Sequence, residues 1–416
     1  MLSETVLETC IMEDISFSWA QKFIEERLYP LPPETRPLHQ AEGFVLARPI
    51  YALFDVPTKD VSLKDGFAVR SQDVAHASPE HPVTLRLVGQ CYAGQNLTLS
   101  LRPGEAIRLT SGAVIPQGAD AVLAEEFVRL KHGTLLALAD ASPGRNILFR
   151  GADIRRGNLL LEAGTCLHPP DLGLLASAGH AEVPVYPRPK VLVVAIGDEI
   201  VPVGKPLQEG KVFASNLLTI YSWLRYFGFE VETKVVPDQK EALVEMIQEF
   251  EGRFDALVTS GGAWKGERDL IVRTLDSLGW EKVFHRLRLG PGKALAFGLL
   301  KGRPVFCLPG GPPSNQAAFL LLALPGLLRL SGKKTAFPKV RALLVEEVSG
   351  TPSWTQVFFG LLEKRGETLV FHPQKPKSRL EYLAEATGWL LLPEGESRLP
   401  AGSLVSISVL KPEALC

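Results

Sequence analysis

Nothing in this 416-residue chain is spaced to hold a zinc ion or build a disulfide framework. Its five cysteines, at positions 10, 91, 166, 307 and 416, are scattered and odd in number, with no CxxC and no Cys/His ligand spacing. An excess of positive charge is missing too. Lys and Arg total 45 against 46 Asp and Glu, a formal charge of -1, so the chain lacks the basic surplus by which a general nucleic-acid binder neutralises phosphates. No apolar stretch reaches the ~20 residues that span a bilayer. The most apolar helical stretch, Ala317 to Leu330, is interrupted by Pro325. The opening MLSETVLETCIMED has neither the basic flank nor the apolar run of a signal peptide, and the expected location is cytoplasmic, without a membrane partner. GxGxxG after the first buried strand and GxxxxGKS/T are both absent, which argues against a dinucleotide dehydrogenase and a P-loop NTPase. There is no internal repeat and no low-complexity tract.

What is present is a globular composition, 46% hydrophobic and 22% charged, with 37 Gly and 32 Pro to punctuate many short elements. The length suggests roughly two to four domains. Residues 13 to 29, with Phe17, Trp19, Phe23 and Ile24 among charges, read as one amphipathic helix. From Val56 to about Leu148, short apolar runs between turn residues read as a small β-rich domain. From Pro189 the texture changes. The runs Lys190–Ile196, Phe254–Ser260 and Arg303–Leu308 are continuous apolar strands, as expected in a parallel sheet buried on both faces. Between them lie helical spacings such as Leu217, Ile220, Leu224 and Leu243, Met246, Ile247. This alternation predicts a doubly wound α/β domain. After Pro338 the pattern returns to strands, predicting a C-terminal β-barrel or sandwich.

Ligands of open α/β sheets bind beyond the carboxyl ends of the strands. Three such ends carry loops of small and charged residues: Gly197-Asp198-Glu199, then Ser260 through Gly261, Gly262 and Lys265 to Asp269, then Leu308 through Gly310 to Ser314. Glycines let backbone approach an anion, and a helix start offers free N–H groups, so a phosphate-bearing ligand fits. The carboxylates Glu199, Asp238 and Asp269 are the oxygen donors that Mg²⁺ requires; helix capping is the competing role for Asp238 and Asp269. Arg286, Arg288 and Lys293 are the cations placed to meet an oxyanion, against the simpler reading that they are solvated.

Together these loops resemble the molybdopterin molybdenumtransferase family, the MoeA type related to the C-terminal part of gephyrin, over nearly the whole chain. VPTKDVSLKDGFAVR (56–70) carries Ser62, Asp65 and Gly66 of the family's Asp-Gly-Tyr-Ala stretch, with Phe67 for tyrosine. RLTSGAVIPQGADAVLAEE (108–126) has Ser111 where the family has threonine, and NILFRGADIRRG (146–157) keeps Asp153 but has Ala152 for glutamate. Then follow Gly197-Asp198-Glu199, Ser215-Asn216, Pro237-Asp238, the 261–269 loop, Pro291-Gly292-Lys293 and Leu308 to Ser314. The resemblance implies four parts: an elongated mixed domain from 1–55 and 150–187, a β-rich inserted domain at 56–149, an α/β molybdopterin-binding domain at 188–336 and a C-terminal β-barrel at 337–416. It implies a homodimer that hydrolyses adenylylated molybdopterin with Mg²⁺, releases AMP and inserts molybdate. Asp65, Glu199, Asp238 and Asp269 would be catalytic, and the last three would hold the metal. Ser111, Asp153, Gly197, Gly261, Gly262, Lys265, Arg286, Lys293, Gly310, Ser314 and Ser378 would bind substrate, with Asp65 and Ser111 supplied by the partner subunit.

The chain departs from the family at the oxyanion positions. Gly290 stands where a lysine precedes Pro-Gly-Lys, Ala294 replaces the following proline, Gly311 replaces an asparagine, and Trp264 and Lys265 replace serine and valine. An arginine of a C-terminal strand aligns with Phe359, while Ser378 is kept. Two lost cations weaken an oxyanion site, because charge-assisted hydrogen bonds are the strong ones; Lys265, Arg286 and Arg288 are the candidates to compensate. Rival readings are a non-catalytic molybdopterin carrier and an insertase for another oxyanion such as tungstate.

Overall fold

The computed structural model describes residues 12–95, 99–131, 133–250, 252–262, 270–334, 337–374 and 378–415. They form two compact units, one of residues 12–34, 43–47 and 185–415, the other of 35–42 and 48–184.

The second unit is built on a six-stranded sheet whose order is Val128–Lys131, Thr134–Ala137, Val83–Cys91, Glu105–Leu109, Gly66–Val69 and Ala121–Ala124. Strand Gly66–Val69 is buried on both faces: Phe67 and Val69 join Leu85, Leu123 and Leu135, while Ala68 joins Ile107 and Leu109. The flanking segments 48–56 and 150–158 run together, Val56 N–H donating to Ile154 O at 2.7 Å and Ala52 N–H to Asn158 O at 2.9 Å. Asp55 clamps them. Its carboxyl is held below the usual range, first by the Arg156 N–H (2.8 Å) and next by the Arg150 guanidinium (2.6 Å).

The first unit opens with strand β1 (Met12–Ser16) and helix α1 (Phe17–Arg27). Next come β2 (Lys190–Ile196), α2 (Ser215–Tyr226), β3 (Glu230–Val236), α3 (Lys240–Phe250), β4 (Ala256–Ser260) and α4 (Leu270–Ser277). Strands β5 (Glu281–Gly290), β6 (Ala296–Leu300) and β7 (Arg303–Leu308) and helices α5 (Pro312–Ala318) and α6 (Leu324–Leu330) complete the α/β part. The order β3-β2-β4-β7 is parallel throughout, and β6 and β5 extend it in antiparallel fashion. Both faces are covered, which explains the unbroken apolar strands. On β2, Leu192, Val194 and Ile196 pack against Leu243, Ile247 and Leu275, while Val191, Val193 and Ala195 face the cluster that contains Ile24, Ile220 and Leu224.

Two details differ from the sequence reading. Residues 13 to 29 are not one helix. Met12–Ser16 lie as a strand beside β5, with Ile15 opposite Leu287, because Ile15 is buried there and Ser16 then caps α1 by accepting the Trp19 N–H at 3.1 Å. This segment groups with the α/β unit, whereas the resemblance implied that all of 1–55 belongs to the elongated part. The apolar helix near the end of the α/β part carries a π-turn, Phe319–Ala323, just before Pro325. Proline cannot donate to the preceding turn, and one wide turn absorbs the missing bond.

The C-terminal strands β8 (Lys339–Leu344), β9 (Thr355–Arg365), β10 (Thr368–Pro373), β11 (Gly388–Leu392) and β12 (Leu404–Val409) run in the order β9-β10-β8-β12-β11, and β11 pairs back to β9. The sheet therefore closes into a barrel around Leu344, Leu362, Phe371, Leu390 and Ile407. A short helix, α7 (Glu381–Glu385), lies between β10 and β11. Parallel pairing of Leu289 with Thr355 and Gly290 with Gln356 joins β5 to the barrel. No helix among the described residues is long and apolar enough to cross a membrane.

Candidate functional site

The carboxyl ends of β3, β2, β4 and β7 open onto one crevice of about 820 Å³. Its walls include Gly197, Asp198 and Glu199 from the β2 loop, Asp238 after β3, Gly261 and Gly262 after β4, and Pro309, Gly310, Gly311, Pro313 and Ser314 after β7. Seven of the sequence-predicted residues therefore meet here: Gly197, Glu199, Asp238, Gly261, Gly262, Gly310 and Ser314. An adjoining compartment of about 330 Å³ shares Glu199, Gly261 and Gly310 and is lined further by Phe213, Asn216 and Leu380.

Two glycines set the shape. At Gly197 a Cβ would stand 2.7 Å from Glu199 Oε2, so the carboxylate folds back over a bare backbone. At Gly261 (φ +95°) a Cβ would stand 2.5 Å from the Ile196 carbonyl, so both conformation and contact demand glycine. Below the floor, Ser260 Oγ accepts from the amide groups of Asn216 (3.2 Å) and Asn315 (3.0 Å). Those amides also donate to Gly310 O (2.8 Å) and Pro309 O (2.9 Å). Buried Asn315 thus ties the β4 and β7 loops into one rigid cradle. The sequence gives no signal for Ser260 and Asn315 beyond their position at the loop ends.

The helix start supplies fewer donors than expected. Gly311 caps α5 and prolines occupy its first two positions. Two of the four amides that a helix start normally frees are therefore absent, leaving those of Gly311 and Ser314. Among the acidic residues, Asp198 and Glu199 are exposed and Asp238 is half-buried. Asp198 Oδ1 accepts the Asp238 N–H at 3.2 Å, which fixes the two loops together. Among the described residues no three His, Cys, Asp or Glu side chains form a ready metal cage.

The other predicted residues lie elsewhere. Arg286 does not line the crevice; it reaches Asp14 at 3.4 Å, because β1 brings that carboxylate beside β5. Arg288 is likewise engaged, by the Asp14 carbonyl (2.6 Å) and Glu394 (3.1 Å). Lys293 is half-buried, and its carbonyl accepts the Leu287 N–H, while its neighbour Ala294 does line the crevice. Ser378 Oγ accepts from the N–H groups of Leu380 and Glu381 at 3.4 and 3.3 Å, at the start of α7. In the other unit Asp65 and Ser111 form a pair, Ser111 N–H donating to Asp65 Oδ1 at 2.7 Å, and Asp153 is exposed. Lys265 and Asp269 lie outside the described residues.

This arrangement has relatives. Residues 15–179 match the MoeA N-terminal region (domain I and II), and residues 192–329 match a probable molybdopterin binding domain. The molybdopterin molybdenumtransferase of Haemophilus influenzae is 35% identical over 315 residues, 75% of this chain and 76% of its own. That of Synechococcus elongatus is 33% identical over 388 residues, 92% of this chain and 95% of its own. The chain belongs to the molybdopterin molybdenumtransferase family. Its fold agrees: the crystal structure of the molybdopterin biosynthesis MoeA protein from Pyrococcus horikosii superposes with a TM-score of 0.85 at 32% identity, covering 96% of this chain and all of the other.

The chain is thus a transferase of molybdenum cofactor biosynthesis. Against that family, two substituted positions take on a physical meaning. Gly290 is half-buried and a Cβ there would find only Gln356 Cγ, at 3.9 Å, so nothing in the packing forbids a larger residue. Phe359 is 2% exposed and sits against Tyr382 and Trp389, part of the apolar core and not of the crevice. Burial in the same core pushes the Tyr382 hydroxyl above its usual value.

Proposed function

We propose that this protein hydrolyses adenylylated molybdopterin with Mg²⁺, releases AMP and inserts molybdate into the molybdopterin. The observation that carries the reading is the convergence of carboxylates and a glycine-lined backbone on one crevice at the carboxyl edge of the sheet. Glu199 and Asp238 fit the hard-oxygen donor set of Mg²⁺, which is normally held by one or two carboxylates, waters and substrate phosphate rather than by a protein cage. When bound, the ion would neutralise charge on the phosphate oxygens. The chain's own residues do the rest. The bare backbone at Gly261 and Gly262 lets a phosphate approach closely, and Gly311 and Ser314, which keep their amides at the start of α5, line the same crevice. The Ser260–Asn315 network keeps these donors in place, so little reorganisation accompanies the charge change. A homodimer belongs to the same proposal, with Asp65 of the partner subunit and Ser111 of the partner subunit as a pre-assembled pair.

Purified protein incubated with adenylylated molybdopterin, Mg²⁺ and either molybdate or tungstate tests the reading through AMP release and metal incorporation. Tight nucleotide binding with no AMP release would replace it with a carrier function. One observation favours an altered oxyanion preference: the two family cations are replaced by Gly290 and a core Phe359. Equal incorporation of tungstate and molybdate would bear that out.

A further inference from the structure

The family's two cations are gone, and the cations nearest to them in sequence do not replace them. Arg286 and Arg288 are held by Asp14 and Glu394 along the β1–β5 edge. Among the described residues one cationic side chain lines the crevice, and it comes from the barrel: Arg379, in the turn before α7. It lines the main crevice together with Gly310, Gly311 and Ser314, and the next residue, Leu380, lines the adjoining compartment with Pro312. Successive residues therefore flank the same β7–α5 turn. Ser378 Oγ fixes the backbone on the far side by accepting the Leu380 and Glu381 N–H groups. Among the described residues Arg379 has neither an ion-pair nor a hydrogen-bond partner, in contrast to Arg286 and Arg288.

The crevice is also divided by charge along the sheet. Glu199 follows β2 and Asp238 follows β3, two and three places from β7 in the strand order. The carboxylates thus line the crevice from the β2 and β3 side, while Arg379 lines it beside the β7–α5 turn. We propose that Arg379, together with Ser314, forms the oxyanion-binding end of this crevice and takes over the charge removed at Gly290 and Phe359. The proposal rests on the insertase reading for the identity of the anion, a tetrahedral dianion of the molybdate type. A planar fork meets two oxygens of such an ion at once, which a lysine at the same place does not.

Calorimetric titration of molybdate into the full-length protein tests this, with AMP release by the unsubstituted protein assayed in parallel. Arg379→Ala is expected to weaken molybdate binding at least tenfold, Arg379→Lys to fall between, and Arg288→Ala to change it less than twofold. Arg379 is exposed, so circular dichroism should show an unchanged fold. Equal affinity in Arg379→Ala, or an equal loss in Arg288→Ala, overturns the proposal. Absence of molybdate binding by the unsubstituted protein overturns it too, while AMP release in that same protein would leave the hydrolytic reading standing. Arg379-dependent binding without any AMP release supports the proposal and removes the hydrolytic reading instead.

Discussion

Two cavities open at opposite edges of the same parallel sheet. The one at the carboxyl edge measures about 820 Å³ and the one at the amino edge about 530 Å³. The amino-edge cavity is the richer in charge, with Lys190, Arg225, Glu230, Glu232 and Arg253 in its walls. Those charges largely answer one another. Arg253 reaches both oxygens of Glu232 at 3.2 Å, and Lys190 lies 3.8 Å from Glu230. At the carboxyl edge acidic groups gather on one flank and Arg379 stands on the other, over a floor of glycines braced by buried amides. Charge density does not distinguish a site from a hollow; charge segregated to two flanks, on a backbone that permits close approach, does.

The largest expected effect separates the two cavities directly. Glu199→Gln and Asp238→Asn should each lower AMP release by about 100-fold or more, exceeding the usual effect of losing an outer-shell metal partner. Glu232→Gln, at the amino edge, should leave AMP release within about twofold, since its partner is exposed and already screened. Similar losses from all three would erase the distinction between the edges.

A second substitution sharpens the part played by backbone. Gly197→Ala places a methyl where Glu199 Oε2 now rests, 2.7 Å away. The carboxylate must swing out, and AMP release should drop by about 10- to 100-fold, the scale of a misplacement near 1 Å. A rise in the Mg²⁺ concentration needed for half-maximal rate should accompany it; an unchanged Mg²⁺ requirement would detach Glu199 from the metal.

Next in size, Asn315→Ala removes a buried amide that serves Ser260 and Pro309. Urea denaturation should show a loss of about 1–3 kcal/mol, the usual result of stranding buried partners. A neutral result would mean that the two loops are held by their backbone alone. The smallest effect belongs to Arg253→Ala. Its ion pair with Glu232 has side chains 54% and 52% exposed, and thermal melting should show a change below about 1 kcal/mol.

The sequence made the parallel strands legible because residues buried on both faces leave unbroken apolar runs, as in Lys190–Ile196. Their order in turn locates the loops of the crevice, at the carboxyl ends of those strands. What stayed hidden depends on partners remote in sequence. Met12–Ser16 carries no strand pattern of its own; Leu287 and Arg288 supply its register. Arg286 and Arg288 looked available because Asp14 and Glu394 lie 272 and 106 residues from their partners. Arg379 sits outside every loop of the α/β part, so reasoning from that sheet alone could not reach it. Ser260 and Asn315 were invisible because a small polar residue at a loop end looks the same whether it braces a cradle or meets water.

Strand β5 is shared. Its first half pairs with β6 of the α/β sheet, its last residues pair with Thr355 and Gln356, and Glu394 of the barrel accepts hydrogen bonds from both Arg288 and the first amide of α1. The carboxylate flank of the crevice and the barrel that carries its guanidinium are therefore cut from one continuous piece of sheet. A tool of that kind is a fixed caliper. It sorts its guests by their length and by where along that length their charges fall, and it leaves fine adjustment to the reach of single side chains.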